Sequence, residues 1–401
     1  MLSKYRQAFA GNAAWRFSTA GFIARLPVSM VGIGILMYVE AERGSYTIAG
    51  AVSGSISIAA AIGGPLSSRL VDKLGQHRVL PFQILLIVLC SMALVVLISS
   101  DVPAPYLFIF SIGSGLAYPS IGALVRSRWT ALLVSGPILL TAFSIESMID
   151  ELIFIVGPTI AATTSVKLHP AAPQIIAMFL LAGGGLWLAS MRNTEPAINA
   201  HQGKHGKPVI FQSGLIYMWG VHIAIGMFFG AVETSIIAFT KLSGQPIYGG
   251  IVMAIWAFGS LIGGFVYGGL HFKSPLHKQL IVVSLLLVPA TAAMVFINSI
   301  SMLALLSIAA GIGISPLLIA SAAITQRRSP VGRTTEAIAS MYAGIGLGFA
   351  FAAAMAGWLI DNRGTNYSFA LGALATLFTF AITVIGRNKF STAILTISLS
   401  Q

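Results

Sequence analysis

Twelve long apolar segments, separated by short polar turns, leave this chain one solvent to fold in. They run over roughly 12–39, 46–70, 79–99, 105–125, 138–164, 173–190, 213–239, 246–270, 279–298, 301–323, 335–359 and 367–386. A helix crosses the hydrocarbon of a bilayer with about 20 apolar residues. Inside hydrocarbon no water pairs with backbone N–H and C=O groups, so a crossing segment must satisfy them within itself, as a helix does. The segments therefore predict an all-α integral membrane protein with twelve transmembrane helices. The composition agrees: 8% of residues are charged and 56% hydrophobic, where a soluble domain carries about 25% charged residues.

The basic residues orient the segments. Lys and Arg number 23, and alternate loops share them unequally. One side holds Arg43, Lys167, Lys241 and Arg363. The other holds, among more, Lys4, Arg6, Lys73, Arg78, Arg126, Arg128, Arg327, Arg328, Arg387 and Lys389. Basic residues stay cytoplasmic, so both termini are expected inside. The net charge of +12 is scattered among apolar spans, and no nucleic-acid partner is expected; the bilayer is the expected partner. Lys4 and Arg6 precede an apolar segment without a small-residue cleavage site, so no signal peptide is expected. A lone cysteine, Cys90, permits no internal disulfide.

The longest polar stretch, Met191–Pro208, reads as a cytoplasmic linker. It divides the chain into 1–190, a linker over 191–212, and 213–401. His201 and His205 lie four apart within it, but Gly203, Gly206 and Pro208 oppose the helix that a metal pair would need. No metal and no cofactor is expected. The two halves also echo each other. Shifted by two hundred residues, Ile62–Leu80 aligns without a gap on Ile262–Leu280, with Ile, Gly, Gly, Leu, Lys, His and Leu repeated in place. Such a fixed period points to parallel structural repeats. Asp72 becomes Phe272, so the echo keeps the architecture and drops the acid.

Between the second and third spans, Ser68–Leu80 packs Arg69, Asp72, Lys73, His77 and Arg78 around Gly75. This resembles the signature loop of the major facilitator superfamily of transporters, Gly-x-x-x-Asp-(Arg/Lys)-x-Gly-x-(Arg/Lys)-(Arg/Lys). Asp72, Lys73, Gly75 and Arg78 match it; Ser68 replaces its first glycine and His77 one basic position. The resemblance implies two pseudo-symmetric six-helix bundles, a monomeric carrier in a bacterial cytoplasmic membrane, and a small-molecule substrate. It also implies a conformational gate in which Asp72 meets the facing bundle near Thr334–Glu336, with Arg126 or Arg128 as a side-chain partner. Gly157 and Pro158 resemble the Gly-Pro motif that the superfamily's antiporters carry in span five, and lean the reading toward export. The arginine that many proton antiporters carry in span four is absent from Phe110–Ser120.

Charges inside spans are the sharpest chemical signals, because each costs about 2.5–3.5 kcal/mol at a helix centre. Arg25 sits in span one on a face with Ser18, Phe22, Ser29 and Gly32. Span five carries Glu146, Asp150 and Glu151. Glu233 lies in span seven, with His222, Gly226 and Phe229 on its face. Three acids against one arginine cannot all be paired, so at least one is expected to be hydrated or protonated. A carboxylate that switches between an ion partner and a proton suits a proton-coupled carrier, with Asp150 the principal switch. An Arg25–Asp150 pair that only braces the first bundle accounts for the same residues, and His222 suits a packing role.

Small residues recur at four-residue spacing, as at Gly50 and Gly54 or Gly259 and Gly263, where helix backbones can approach closely. Pro27, Pro119, Pro158, Pro289 and Pro316 fall inside spans and can kink them. Phosphate-loop, zinc-protease and nucleophile-elbow signatures are missing, so an enzyme is not expected. The reading that remains is secondary active transport, with proton antiport ahead of proton symport and of a transport-inactive receptor of the same fold.

Overall fold

The computed structural model describes residues 12–100, 102–133, 137–196, 209–211, 214–269, 274–329 and 334–391. Among the described residues there are helices and no strand, and twelve helical stretches are long and apolar enough to cross a membrane. His201, His205 and the 392–401 tail lie outside the described residues.

The chain divides into two compact units. The first comprises 1–203 with 236–254, the second 204–235 with 255–401. The cut runs through two helices, so the first unit takes residues beyond the expected linker at 191–212.

The first unit holds α1 (Asn12–Arg25), α2 (Pro27–Arg43), α3 (Tyr46–Leu74), α4 (Gln76–Ile98), α5 (Ala104–Leu116), α6 (Ile121–Leu132), α7 (Pro137–Lys167) and α8 (Ala172–Ser190). Eight helices make six spans because two spans are broken. Span one breaks at Leu26, where Pro27 has no N–H to continue the ladder and instead opens α2. Ser29 closes the gap by donating its N–H and its hydroxyl to the Leu26 carbonyl, each at 3.2 Å. Span four breaks over Ala117–Ser120, around Pro119. The other prolines noted in the sequence, Pro158, Pro289 and Pro316, stay inside continuous helices.

The remaining helices are α9 (Leu215–Leu242), α10 (Ile247–Gly269), α11 (Leu276–Ala293), α12 (Ile300–Arg328), α13 (Thr334–Arg363) and α14 (Thr365–Ser391). The ends of α9 and α10 over 236–254 belong to the first unit, where an added Cβ at Gly250 would meet the Pro158 carbonyl and Ala162. Within the second unit α11 packs on both α12 and α14.

The internal echo is visible in packing. In the first unit Gly63 of α3 lies against the Leu116 backbone of α5, and Gly115 of α5 lies against the Ile56 carbonyl of α3. In the second, Gly263 of α10 lies against the Ile312 backbone of α12, and Gly311 of α12 lies against the Trp256 carbonyl of α10. Gly63 and Gly263, like Ile56 and Trp256, are two hundred residues apart. A side chain at any of these glycines would drive apart two backbones that lipid cannot otherwise hold together.

Candidate functional site

The charged residues of the first unit form one network. Arg25, at the last residue of α1, is 3% exposed. Its Nε donates to the Gly21 carbonyl at 3.1 Å, which aims the guanidinium across to α7. There Nη2 pairs with Glu146 Oε2, and Nη1 meets Asp150 Oδ1 at 2.7 Å. The two acids, four residues apart on one helix, face the same way. Glu146 is fully buried and accepts two more bonds at Oε1, from Ser18 Oγ at 2.7 Å and Trp129 Nε1 at 2.9 Å. Phe17 supports Trp129 edge-on, with ring centroids 4.8 Å apart.

Asp150 stands at the open end. Its side chain is 35% exposed, and Arg126 Nη2 of α6 reaches its Oδ2 at 2.6 Å. The sequence count of three acids against one arginine therefore needs correction, because Arg126 enters the same site. Two arginines face two of the acids, and their formal charges cancel.

Arg128 follows Arg126 by two residues on α6. It is fully buried and donates to Gln76 Oε1 at 2.8 Å, the Met191 carbonyl at 2.7 Å and Thr194 Oγ1 at 2.8 Å. That ties α6 to the start of the linker. A parallel tie runs from the signature loop, where Glu195 accepts from the His77 N–H at 3.3 Å and meets His77 Nδ1 at 2.8 Å. Gly75 carries the turn at φ 87°, and a Cβ there would meet Glu195 Oε1 at 2.7 Å. Ser68 is half-buried and donates to the Gly64 carbonyl at 2.9 Å, while Lys73 and Arg78 are exposed. The side chains of Asp72 and Arg69, and those of Thr334–Glu336, lie outside the described residues.

Gly157 sits beside the break in span one. An added Cβ would fall on Ser29, with its Cβ at 3.1 Å, and on Met30 Cγ at 3.3 Å. Ser29 Oγ also donates to the Ile153 carbonyl at 2.8 Å. Beside the network, a groove of about 400 Å³ is lined by Trp15, Ser18, Thr19, Phe22, Ile149 and Leu152. Ser18 belongs to both. Glu151 is half-buried on the same helix.

In the second unit, His222 Nδ1 lies 2.8 Å from the Met218 carbonyl and Nε2 3.4 Å from Ser321 Oγ. Glu233 is half-buried and has no ion-pair or hydrogen-bond partner among the described residues. Sequence reasoning missed Trp129, Glu195 and Arg126 as the partner of Asp150. Arg126 and Trp129, three apart after a broken span, were the available signal.

Twelve helices long and apolar enough to cross a membrane, with buried ion pairs among those of the first unit, define a polytopic membrane protein. The particular family follows from comparison. The sequence profile of the Major Facilitator Superfamily matches residues 17–305 and 276–393, and the chain belongs to that family. Among solved structures, a POT family transporter in complex with a thioalcohol-conjugated peptide superposes with a TM-score of 0.74 at 12% identity, covering 95% of this chain and 97% of that one. The nucleoside transporter NupG gives 0.70 at 14%, covering 95% and 100%. A bacterial homologue of the iron transporter ferroportin, in an inward-facing state, gives 0.66 at 14%, covering 96% and 99%. At these identities the likeness is one of fold. No curated protein matches the sequence.

Proposed function

We propose that this protein moves a small organic solute by alternating access, coupled to protons, and that Asp150 is the carboxylate that exchanges the proton. The solved neighbours include a nucleoside transporter, a POT family transporter in complex with a peptide and a homologue of an iron transporter, so the shared fold does not choose the cargo. The observation that carries the proposal is the unequal treatment of two acids on one helix. Three donors converge on Glu146, which is fully buried. Asp150 is held by one buried and one half-exposed arginine and is itself partly open. Opposite charge nearby favours a carboxylate's ionised form, and losing that charge favours its neutral form. Swinging the Arg126 side chain away while α6 stays in place removes one of the two ion partners of Asp150 and leaves the three donors on Glu146 untouched. A proton replaces the missing partner, and it leaves when the pair re-forms.

Export by antiport is the direction we favour, on the Gly157–Pro158 motif in α7. The basic-loop bias supports cytoplasmic termini, and the signature loop supports a gate at Asp72. The decisive measurement uses vesicles carrying the purified protein and a substrate found by screening. The Asp150→Asn protein should exchange that substrate down its own gradient yet fail to respond to an imposed pH gradient. Accumulation against the substrate gradient, driven by protons alone in that variant, would make Asp150 structural.

A further inference from the structure

Charge is distributed unequally between the two units. The ion pairs of the first unit cancel within it, so Arg25 and Arg126 are already engaged. In the helices wholly or partly in the second unit, every Lys, Arg and Asp of α9–α14 lies within five residues of a helix end. Glu233 does not. It lies nine residues before the end of α9, about 13.5 Å from that end at 1.5 Å per residue. It is half-buried, and no described residue gives it an ion pair or hydrogen bond. A carboxylate at that depth is costly without a counter-charge, and the described part of its own unit offers none.

The helical turn before Glu233 is aromatic. Phe229 precedes it by one helical turn and shares its face. Phe229 packs against Trp256 of α10 with centroids 5.7 Å apart at 62°, and Phe228 packs against the same indole at 5.5 Å and 88°. Trp256 is 6% exposed, and its Nε1 has no hydrogen-bond partner among the described residues. A buried donor without an acceptor costs about 1–3 kcal/mol, which marks a place that a polar ligand completes.

Further along the same face lies His222. Its Nδ1 must donate to the Met218 carbonyl, which can only accept, so in the neutral ring Nε2 is a bare acceptor. Ser321 Oγ lies 3.4 Å from Nε2 and 2.9 Å from the Leu318 carbonyl. The adjoining cavity of about 40 Å³ is lined also by Thr325, whose buried hydroxyl has no partner among the described residues. Among the described residues, no charged one lines that cavity.

We propose that Glu233, with Phe229 and Trp256, is a binding site for the positively charged head of an organic substrate, an alkyl- or aryl-substituted cation. The carboxylate supplies the counter-charge and the ring faces supply cation–π attraction. A cation bearing an oxygen acceptor also satisfies the Trp256 indole N–H. The acceptors around His222, about 16 Å along α9, meet any donor group on the far end of a long substrate. This assignment rests on the transporter reading and adds the class of its cargo.

The test is equilibrium binding of tetraphenylphosphonium to the purified protein in detergent, with no gradient present. Saturable binding is expected. Glu233→Gln should weaken it about tenfold or more, Glu233→Asp should retain part of it, and Phe229→Leu should weaken it severalfold, since the acid remains while a ring face is lost. Absence of saturable binding in the unaltered protein, or Glu233→Gln binding within about twofold of it, overturns the site. If Glu233→Gln does not fold, Phe229→Leu decides: unchanged affinity there overturns the aromatic cage. The two readings fail separately. Binding without any gradient-driven flux in vesicles sinks transport and keeps the site, whereas flux of a solute without cation binding sinks the site alone.

Discussion

A single arginine orders the charged cluster of the first unit. Arg25 spends one amine on Glu146, one on Asp150 and its Nε on its own backbone. Removing it leaves a fully buried carboxylate with two neutral donors and no counter-charge. Breaking a buried pair from one side costs about 3–5 kcal/mol, so Arg25→Ala should lower the thermal unfolding temperature of detergent-solubilised protein strongly. Glu146→Gln should cost less, because the amide oxygen still accepts from Ser18 and Trp129 and Arg25 keeps Asp150. Equal unfolding temperatures for Arg25→Ala and the unaltered protein would show that the network carries no stability. Arg25, Glu146 and Asp150 were legible in the sequence, because charge inside an apolar span is expensive enough to demand a reason. Their partners were not. Lipid and protein interiors are both apolar, so the periodicity that orients a soluble helix is weak here, and the rotation that brings Trp129 or Arg126 onto α7 leaves little trace.

At the scale of helices, two breaks and one close approach shape the site. Span one stops one residue after Arg25, which frees the guanidinium end of α1 from the line of α2. Span four breaks before Arg126. Both breaks fall at prolines noted in the sequence, yet Pro158, Pro289 and Pro316 stay within unbroken helices, and the structure offers no single reason for the difference. Gly157 lets α7 settle onto the start of α2, where Ser29 reaches the Ile153 carbonyl. Gly157→Ala should therefore push α7 from α2 and cost about 1–3 kcal/mol. Ser29→Ala removes the hydroxyl nearest the new methyl, so the double variant should recover part of that loss, a coupling that adjacent residues show and distant ones do not. Strict additivity in thermal unfolding would mean that the contact at Gly157 is slack.

At the scale of the whole chain, the number of spans and the internal repeat were readable because hydrophobic length and a two-hundred-residue period survive divergence of the side chains. What the sequence could not place is how the linker starts. Arg128 holds Met191 and Thr194, and His77 holds Glu195, so residues 191–195 lie against the loop that carries the signature motif and the end of span four. Those three segments therefore share one membrane face, the basic-rich face. If that face is cytoplasmic, His201→Cys, made in a Cys90→Ala background, should resist a membrane-impermeant thiol reagent applied to intact cells and react after permeabilisation. The gate proposed at Asp72 falls on the same face: Asp72→Asn should slow turnover and leave substrate affinity within about threefold, because a gate contact forms in one conformation and touches no substrate. Strong labelling of intact cells would invert the chain in the membrane and move Asp72, with its gate, to the outside.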